Sequence, residues 1–227
     1  MPTKDEILTE LKKDRHAFCS GNLSGVDLSG ADLSDVDFFD TDLTNANLSN
    51  SILDGACLDA ADLSGVKLVN ASLKKANLDS AIMTNSDLSK ADFFEATLAD
   101  VNLDESILTD ANLSKCDIGN GSLYEVQARG ASFVRSKVSF ASLDYSDFSK
   151  ADFTYCNLQF SSFRDTKMEE AILNKALLKE SRLINTNLIT ADLSGAILEG
   201  ADMKGANLTN AKLSGIKWRG VKNRPAV

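Results

Sequence analysis

Every residue whose number ends in 3 or 8, from Phe18 to Trp218, belongs to one unbroken five-residue frame. Of these 41 centres, 27 are Leu and seven are Phe; the others are Met83, Met168, Met203, Ile118, Val138, Ala128 and Trp218. Two residues before each centre, from Gly21 to Ile216, lie 40 positions that are nearly all small, 20 of them Ala. A period of five leaves no persistent apolar face at 3.6 residues per turn, so the repeat is not helical. A flat sheet is excluded too, because the alternation resets every five residues. What remains is a chain that turns a corner every five residues and winds on itself. Large centres fill its interior, and the small residues keep the coil narrow.

Within one repeat, such as Ala31-Asp32-Leu33-Ser34-Asp35, the first three residues alternate small, polar, large. That is strand-like, with the first and third side chains inward. The last two residues are turn chemistry. Ten of the 13 Gly occupy the fifth position, and Asn and Asp recur there. Gly, and less often Asn, tolerates the positive φ of a tight corner. Asp or Asn fills 20 of the 40 second positions from Asn22 to Lys217.

Ala61-Asp62-Leu63-Ser64-Gly65 and Ala191-Asp192-Leu193-Ser194-Gly195 read as small residue, Asp, Leu, Ser, Gly. In this motif the chain resembles the pentapeptide-repeat family over about residues 16–220. The resemblance implies an all-β fold, a right-handed quadrilateral β-helix with four repeats per coil and about ten coils. At a strand spacing of ~4.8 Å the rod is roughly 50 Å long. Residues 20 apart then stack, Phe133 on Phe153 and Phe140 on Phe160, and the small Ala128 lies in one column with the large Phe148 and Met168.

Both ends of such a stack expose apolar interior and unpaired backbone. Thr3-Lys4-Asp5-Glu6 reads as a capping box, and Ile7, Leu8 and Leu11 form one apolar stripe. We expect a helix over about 3–14 that covers the first coil. The expected organisation is a helical cap at 1–15, the solenoid at 16–220 and a tail at 221–227. At the C-terminal end Trp218 is the last centre, and either the tail or a second copy of the chain covers it. Dimerising members of the resembled family use an added helical element that this sequence lacks, but an uncovered Trp-containing coil is an aggregation liability, so a homodimer through the Trp218 end is expected.

The chain carries 33 acids against 24 bases, a formal charge of −9. That disfavours direct binding to nucleic acid or an anionic membrane. No apolar run approaches membrane-spanning length, and the N-terminus has no signal-like apolar region, so a cytoplasmic location is expected. Cys19, Cys57, Cys116 and Cys156 have no metal-ligand spacing and are read as reduced and inert. His16, the only His, is read as structural. No phosphate loop, metal-ligand motif or triad is present in the sequence. The expectation is a non-catalytic bacterial protein without a cofactor or metal, acting through a protein partner.

The outward side chains are unevenly distributed. Residues 1–113 hold 21 acids and eight bases, whereas residues 114–227 hold 12 acids and 16 bases. With four repeats per coil, two adjacent sides of the N-terminal half hold Asp37, Asp40, Asp42, Asp59, Asp62, Asp79, Asp100, Asp104, Glu105, Asp117 and Glu125, and no Lys or Arg. Over five coils, ~24 Å, that is one carboxylate per ~2 Å, against one phosphate per ~1.7 Å of duplex DNA. Some members of the resembled family are DNA mimics that bind DNA gyrase and give quinolone resistance. The acidic face is therefore a candidate site for a basic, DNA-binding partner such as gyrase or topoisomerase IV. A second candidate surface is an aromatic patch of Tyr124, Phe140, Tyr145, Tyr155 and Phe160, framed by Arg129, Arg135 and Arg164. Leu177 and Ile197 form a smaller outward apolar pair.

Overall fold

The structure, a computed structural model, describes residues 2–225. Residues 20 apart pair as parallel bridges, from Asn22 with Asp42 to Asp202 with Lys222. A β-turn closes every five residues, as where the Val26 N–H donates to the Leu23 carbonyl at 3.2 Å. Each circuit therefore contains four turns, and the chain winds as a β-helix. Three hydrogen bonds per repeat join successive coils. The Leu23 N–H donates to the Asp42 carbonyl at 2.7 Å, the Gly25 N–H to the Thr44 carbonyl at 2.7 Å, and the Asp42 N–H returns to the Gly21 carbonyl at 2.9 Å.

The corners demand more than their sequence advertises. Every fifth position from Ser20 to Gly220 has positive φ, between 51° and 72°. This includes Phe140, Tyr145, Tyr155, Phe160 and the β-branched Thr190. Side chains are disfavoured there by contact with the following carbonyl. The inter-coil ladder on either side fixes the backbone whatever residue occupies the corner.

The interior is one continuous core of centres, with nearly every one buried. The Phe133 and Phe153 rings stack inside and Phe140 on Phe160 outside, as the 20-residue register requires. Phe148 meets both Phe133 and Phe153 edge-on, at 5.7 and 5.5 Å. It lies one coil above Ala128, whose missing volume leaves room for this cluster. Buried Ser and Thr at first positions are also accounted for. Most of their hydroxyls reach the centre carbonyl 23 residues back, as in Ser106 to Met83 at 2.6 Å and Thr186 to Phe163 at 2.8 Å, while Ser51 and Ser181 donate to Leu48 and Leu178, three residues back.

Helix α1 spans Lys4–Lys13 with a complete capping box: Thr3 Oγ1 accepts from the Glu6 N–H, and the Glu6 carboxylate accepts from the Thr3 N–H at 2.8 Å. Asp5 and Glu6 occupy its first turn and Lys12 and Lys13 its last, matching the helix dipole. Ile7 and Leu11 are buried against the first coil and Leu8 is half-buried there. The opposite end is covered less completely. Ala211, Leu213, Ile216, Trp218 and Val221 are only partly buried. The N–H groups of Leu213, Gly215, Trp218 and Gly220 have no partner among the described residues. Lys222 pairs with Asp202, so the start of the segment expected as a tail continues the ladder. Arg224 then lies 4.1 Å over the Trp218 ring, and Pro225 lines a shallow depression with Leu208 and Leu213. The rest of the expected tail, residues 226–227, lies outside the described residues.

Candidate functional site

Four columns of repeats run along the solenoid. Face A contains residues 36–40 and the segments 20 residues on, face B contains 41–45, face C 46–50 and face D 51–55. The sequence-derived acids lie on the adjoining faces A and B. The register explains why half of the second positions are Asp or Asn. The side-chain oxygen accepts the N–H two residues on and holds the turn, an Asx-type contact. Asp37, Asp42, Asp62 and Asp117 do this for Phe39, Thr44, Ser64 and Gly119, at 2.9, 3.0, 2.9 and 3.1 Å. Where the second position is Ser or Thr, which is too short, a fourth-position Asp of the coil below takes over at four of six sites. Asp79 accepts the Ala99 N–H at 2.8 Å, above Thr97, and Asp104 accepts the Tyr124 N–H at 2.9 Å, above Ser122. Asp54 and Asp144 do the same for Lys74 and Arg164.

Five of the eleven acids have no such duty: Asp40, Asp59, Asp100, Glu105 and Glu125. Asp59 is half-buried; the other four stand exposed at corners. Only two of the eleven form ion pairs among the described residues. Asp37 meets His16 at 2.7 Å at one end of the acidic stretch, and Asp117 meets Lys137 at 2.7 Å at the other. On face D, Lys74 pairs with Asp92 and Lys115 with Glu95, within that face. Burial works to raise the pKa of Asp37, but the Phe39 N–H and His16 outweigh it, and the carboxyl is held below its ordinary value.

The aromatic residues expected as one patch divide among three successive corners, because Tyr155 belongs to face D. Phe140 and Phe160 stack at the corner between faces A and B, with centroids 4.8 Å apart. Tyr124 and Tyr145 meet edge-to-face at 5.4 Å on face B. Tyr155 is sandwiched in its own column, its ring 5.5 Å from the Arg135 guanidinium and 5.1 Å from Lys175 Nζ, which also donates to its hydroxyl. Tyr155 is therefore engaged within the coil stack, apart from the other four. Phe140 is 61% exposed, the most open of the large apolar side chains. Phe39 on face A is exposed as well, a residue the sequence reading passed over. Leu177 and Ile197 pair in one bridge and are half-buried. Faces A and B thus carry acids along the N-terminal half and four exposed aromatics beyond them.

One cluster crosses the sequence expectation. His16, Cys19 and Asp37 place their ligand atoms within 4.8 Å of one another, and Cys57 follows Asp37 in the same column. The linear spacings 3, 18 and 20 carry no motif, so the sequence alone reads the Cys as inert, His16 as structural and Asp37 only as part of the acidic face. No helix among the described residues is long and apolar enough to cross a membrane.

No curated protein matches the sequence. Among solved structures, the chain is similar to HetL, a pentapeptide repeat protein involved in heterocyst differentiation regulation from the cyanobacterium Nostoc sp. strain PCC 7120. Identity is 24%, coverage is 100% of both chains and the TM-score is 0.40. A trypsin-treated form of QnrB1, a plasmid-mediated fluoroquinolone resistance protein, matches at 19% identity over 90% of this chain and 86% of its own, with a TM-score of 0.36. A pentapeptide repeat protein of the Arabidopsis thaliana thylakoid lumen matches at 22% identity over 61% of this chain and 72% of its own, with a TM-score of 0.20. The profile of the family described as pentapeptide repeats matches residues 22–59, 56–93, 86–123, 131–169, 161–200 and 171–210. With that profile spanning most of the solenoid, and a turn and an inter-coil ladder at each repeat, the chain belongs to the pentapeptide repeat family.

Proposed function

We propose that the protein is a non-catalytic interaction solenoid that binds a basic protein surface through faces A and B. The observation that supports this is the isolation of the acids. Nine of the eleven carboxylates lack an ion-pair partner among the described residues, on two adjoining faces without Lys or Arg between His16 and Lys137. Carboxylates that hold turns contribute to the field, and the exposed Asp40, Asp100, Glu105 and Glu125 are available for contact. The same reading takes the coil as right-handed and quadrilateral, with about ten coils, in line with bridges 20 residues apart and a turn at each fifth. It places the protein in the bacterial cytoplasm and leaves the half-buried Trp218 end for a second copy.

A pull-down from the source cell at low and high salt tests the reading. The partner is expected to be lost at high salt and with Asp40→Lys, Asp100→Lys and Glu105→Lys combined, and kept with Phe140→Ala and Phe160→Ala combined. A partner that survives the charge reversal but not the aromatic change would sink the acidic-face assignment. A narrower second reading is DNA mimicry toward gyrase or topoisomerase IV, favoured by the carboxylate spacing along faces A and B. It requires inhibition of gyrase supercoiling at micromolar protein in low salt, relieved by added salt. Supercoiling that proceeds unchanged excludes it.

A further inference from the structure

Residues 14–20 join α1 to the first coil and carry the only His and one of the four Cys, His16 and Cys19, against Asp37 on face A. His16 Nδ1 lies 2.7 Å from Asp37 Oδ2, and Cys19 Sγ lies 3.5 Å from the Asp37 main-chain oxygen. The ligand atoms of all three residues fall within 4.8 Å of one another. Cys57 pairs with Asp37 in the bridge one coil on and is half-buried, with its thiol outside the group that falls within 4.8 Å. Imidazole, one sulfur and a carboxylate in one small volume, with a second sulfur on the residue bridged to Asp37, offer the donors of a tetrahedral zinc site.

The surroundings are already arranged for ligation. The Phe39 N–H donates to Asp37 Oδ1 at 2.9 Å, which fixes the carboxylate and leaves Oδ2 toward His16 and Cys19. Asp14 Oδ1 accepts the His16 N–H at 2.9 Å, and the Cys19 N–H closes a turn onto the His16 carbonyl at 3.0 Å. Such outer contacts orient ligands in metal sites. His16 is exposed and Cys19 and Cys57 are half-buried, so an ion has access from solvent.

We propose that His16, Cys19, Asp37 and Cys57 form a site for a divalent d-block ion, Zn2+ by the chemistry of the donors. The ion replaces the His16–Asp37 contact and displaces one proton from each thiol to solvent. It ties the linker after α1 to the next two coils on face A, at the edge of the acidic stretch, and locks the cap onto the solenoid.

The test titrates reduced, metal-free, full-length protein with Zn2+, and with Co2+ as a spectroscopic probe. One ion per chain is expected, with a thiolate-to-cobalt charge-transfer band and the visible d–d bands of a tetrahedral ion. Cys19→Ser, Cys57→Ser and His16→Gln are each expected to weaken binding by about tenfold or more, while Cys116→Ser leaves it unchanged. Zn2+ raises the Tm of the unaltered chain by linkage and protects Cys19 and Cys57 from N-ethylmaleimide, a readout that needs no variant. Absence of the charge-transfer band at stoichiometric Co2+, or a band that survives Cys19→Ser with Cys57→Ser, would overturn the proposal. Unchanged affinity in Cys57→Ser alone would overturn the four-ligand assignment.

Discussion

The Phe133 ring lies flat on the Phe153 ring inside the solenoid, with centroids 4.7 Å apart and planes 8° from parallel. That spacing equals the distance between hydrogen-bonded strands, so the coil pitch and the ring stack reinforce one another. Phe148 closes the cluster edge-on. Phe153→Ala removes a fully buried ring and its contacts with three other Phe, and is expected to cost about 3–5 kcal/mol. Ala128→Leu adds volume beneath Phe148 and is expected to cost about 1–3 kcal/mol by overpacking. Urea denaturation midpoints read both. A neutral Ala128→Leu would show that the interior beside Phe148 is not filled.

Gly30 isolates the backbone requirement of a corner. Its φ is +67°, and an added Cβ meets nothing within 4 Å. Gly30→Ala is therefore expected to destabilise by about 1 kcal/mol from the left-handed backbone alone. Gly55→Ala should cost about the same, since the only close atom is the movable end of Asp35. Thermal unfolding of the two variants makes the comparison. A cost at Gly55 far above that at Gly30 would show that the Asp35 carboxylate cannot yield.

The sequence carried the five-residue frame, the capping box at Thr3 and Glu6, and the aromatic stacks, because each is a periodic or strictly local relationship. Positive φ at corners such as Lys75, Phe140 and Thr190 was not legible. Local preference would place only Gly or Asn there, and the hydrogen-bonded ladder overrides it. The convergence of His16, Cys19 and Asp37 was hidden for a related reason. Metal motifs are recognised by short linear spacing, whereas here a fourth-position side chain meets the second-position side chain 18 residues on. The same offset joins Asp54 to Ser72, Asp104 to Ser122 and Glu169 to Asn187. Splitting Tyr155 from the other aromatics needed the column of each corner, not its neighbourhood in sequence.

The four thiols separate by environment. Burial pushes Cys116 up to about 12 and Cys156 well above its ordinary value. Cys19 and Cys57 are raised as well, by burial and then in part by Asp37, but both remain reachable. N-ethylmaleimide on the native, metal-free protein is expected to modify Cys19 and Cys57, more slowly than a free thiol, and to spare Cys116 and Cys156. A folded pKa above the unfolded one means that the native state keeps its proton longer. The Cys116 contribution to stability is thus complete below its ordinary 9.0 and is lost as pH rises toward about 12. Cys116→Ala should remove that component of alkaline destabilisation. Mass-spectrometric mapping of the adducts checks the first part, since modification of native Cys156 would contradict its burial.

The carboxylates behave in the opposite sense. Asp32 is held below its ordinary 3.8 by the Ser34 hydroxyl and N–H. Asp202 is held down first by Asn223, and Asp192 by Ser194 and Lys212 against the effect of burial. Lowered folded pKa values supply stability that is present above the unfolded pKa and lost as pH falls through the folded values. The Tm is therefore expected to fall as pH drops below about 3.8, the ordinary carboxyl value for these Asp residues. Asp32→Asn keeps an acceptor without the charge and should flatten part of that fall. An acid limb unchanged in Asp32→Asn would mean that its turn contact does not discriminate the ionised form.

Asp104 and Ser122 define an exchange of roles that can be rewritten. Asp104 Oδ1 accepts the Tyr124 N–H at 2.9 Å and the Ser122 hydroxyl at 2.5 Å, because Ser122 is too short to hold its own turn. Asp104→Ala is expected to cost about 1 kcal/mol, the net worth of a hydrogen bond to a turn N–H. Ser122→Asp in the same chain should restore it, since a second-position Asp accepts the N–H two residues on, as Asp62 does for Ser64 at 2.9 Å. With Asp104 present, Ser122→Asp instead sets two carboxylates against one N–H and should bring no gain. The two changes must therefore couple strongly in a double-mutant cycle of denaturation free energies. Additive effects would mean that the turn N–H does not depend on either carboxylate. The cycle also bears on function, because the doubly changed chain keeps the same net charge on face B. Partner binding that follows the field of faces A and B should survive the exchange, whereas binding that contacts the Asp104 oxygens directly should not.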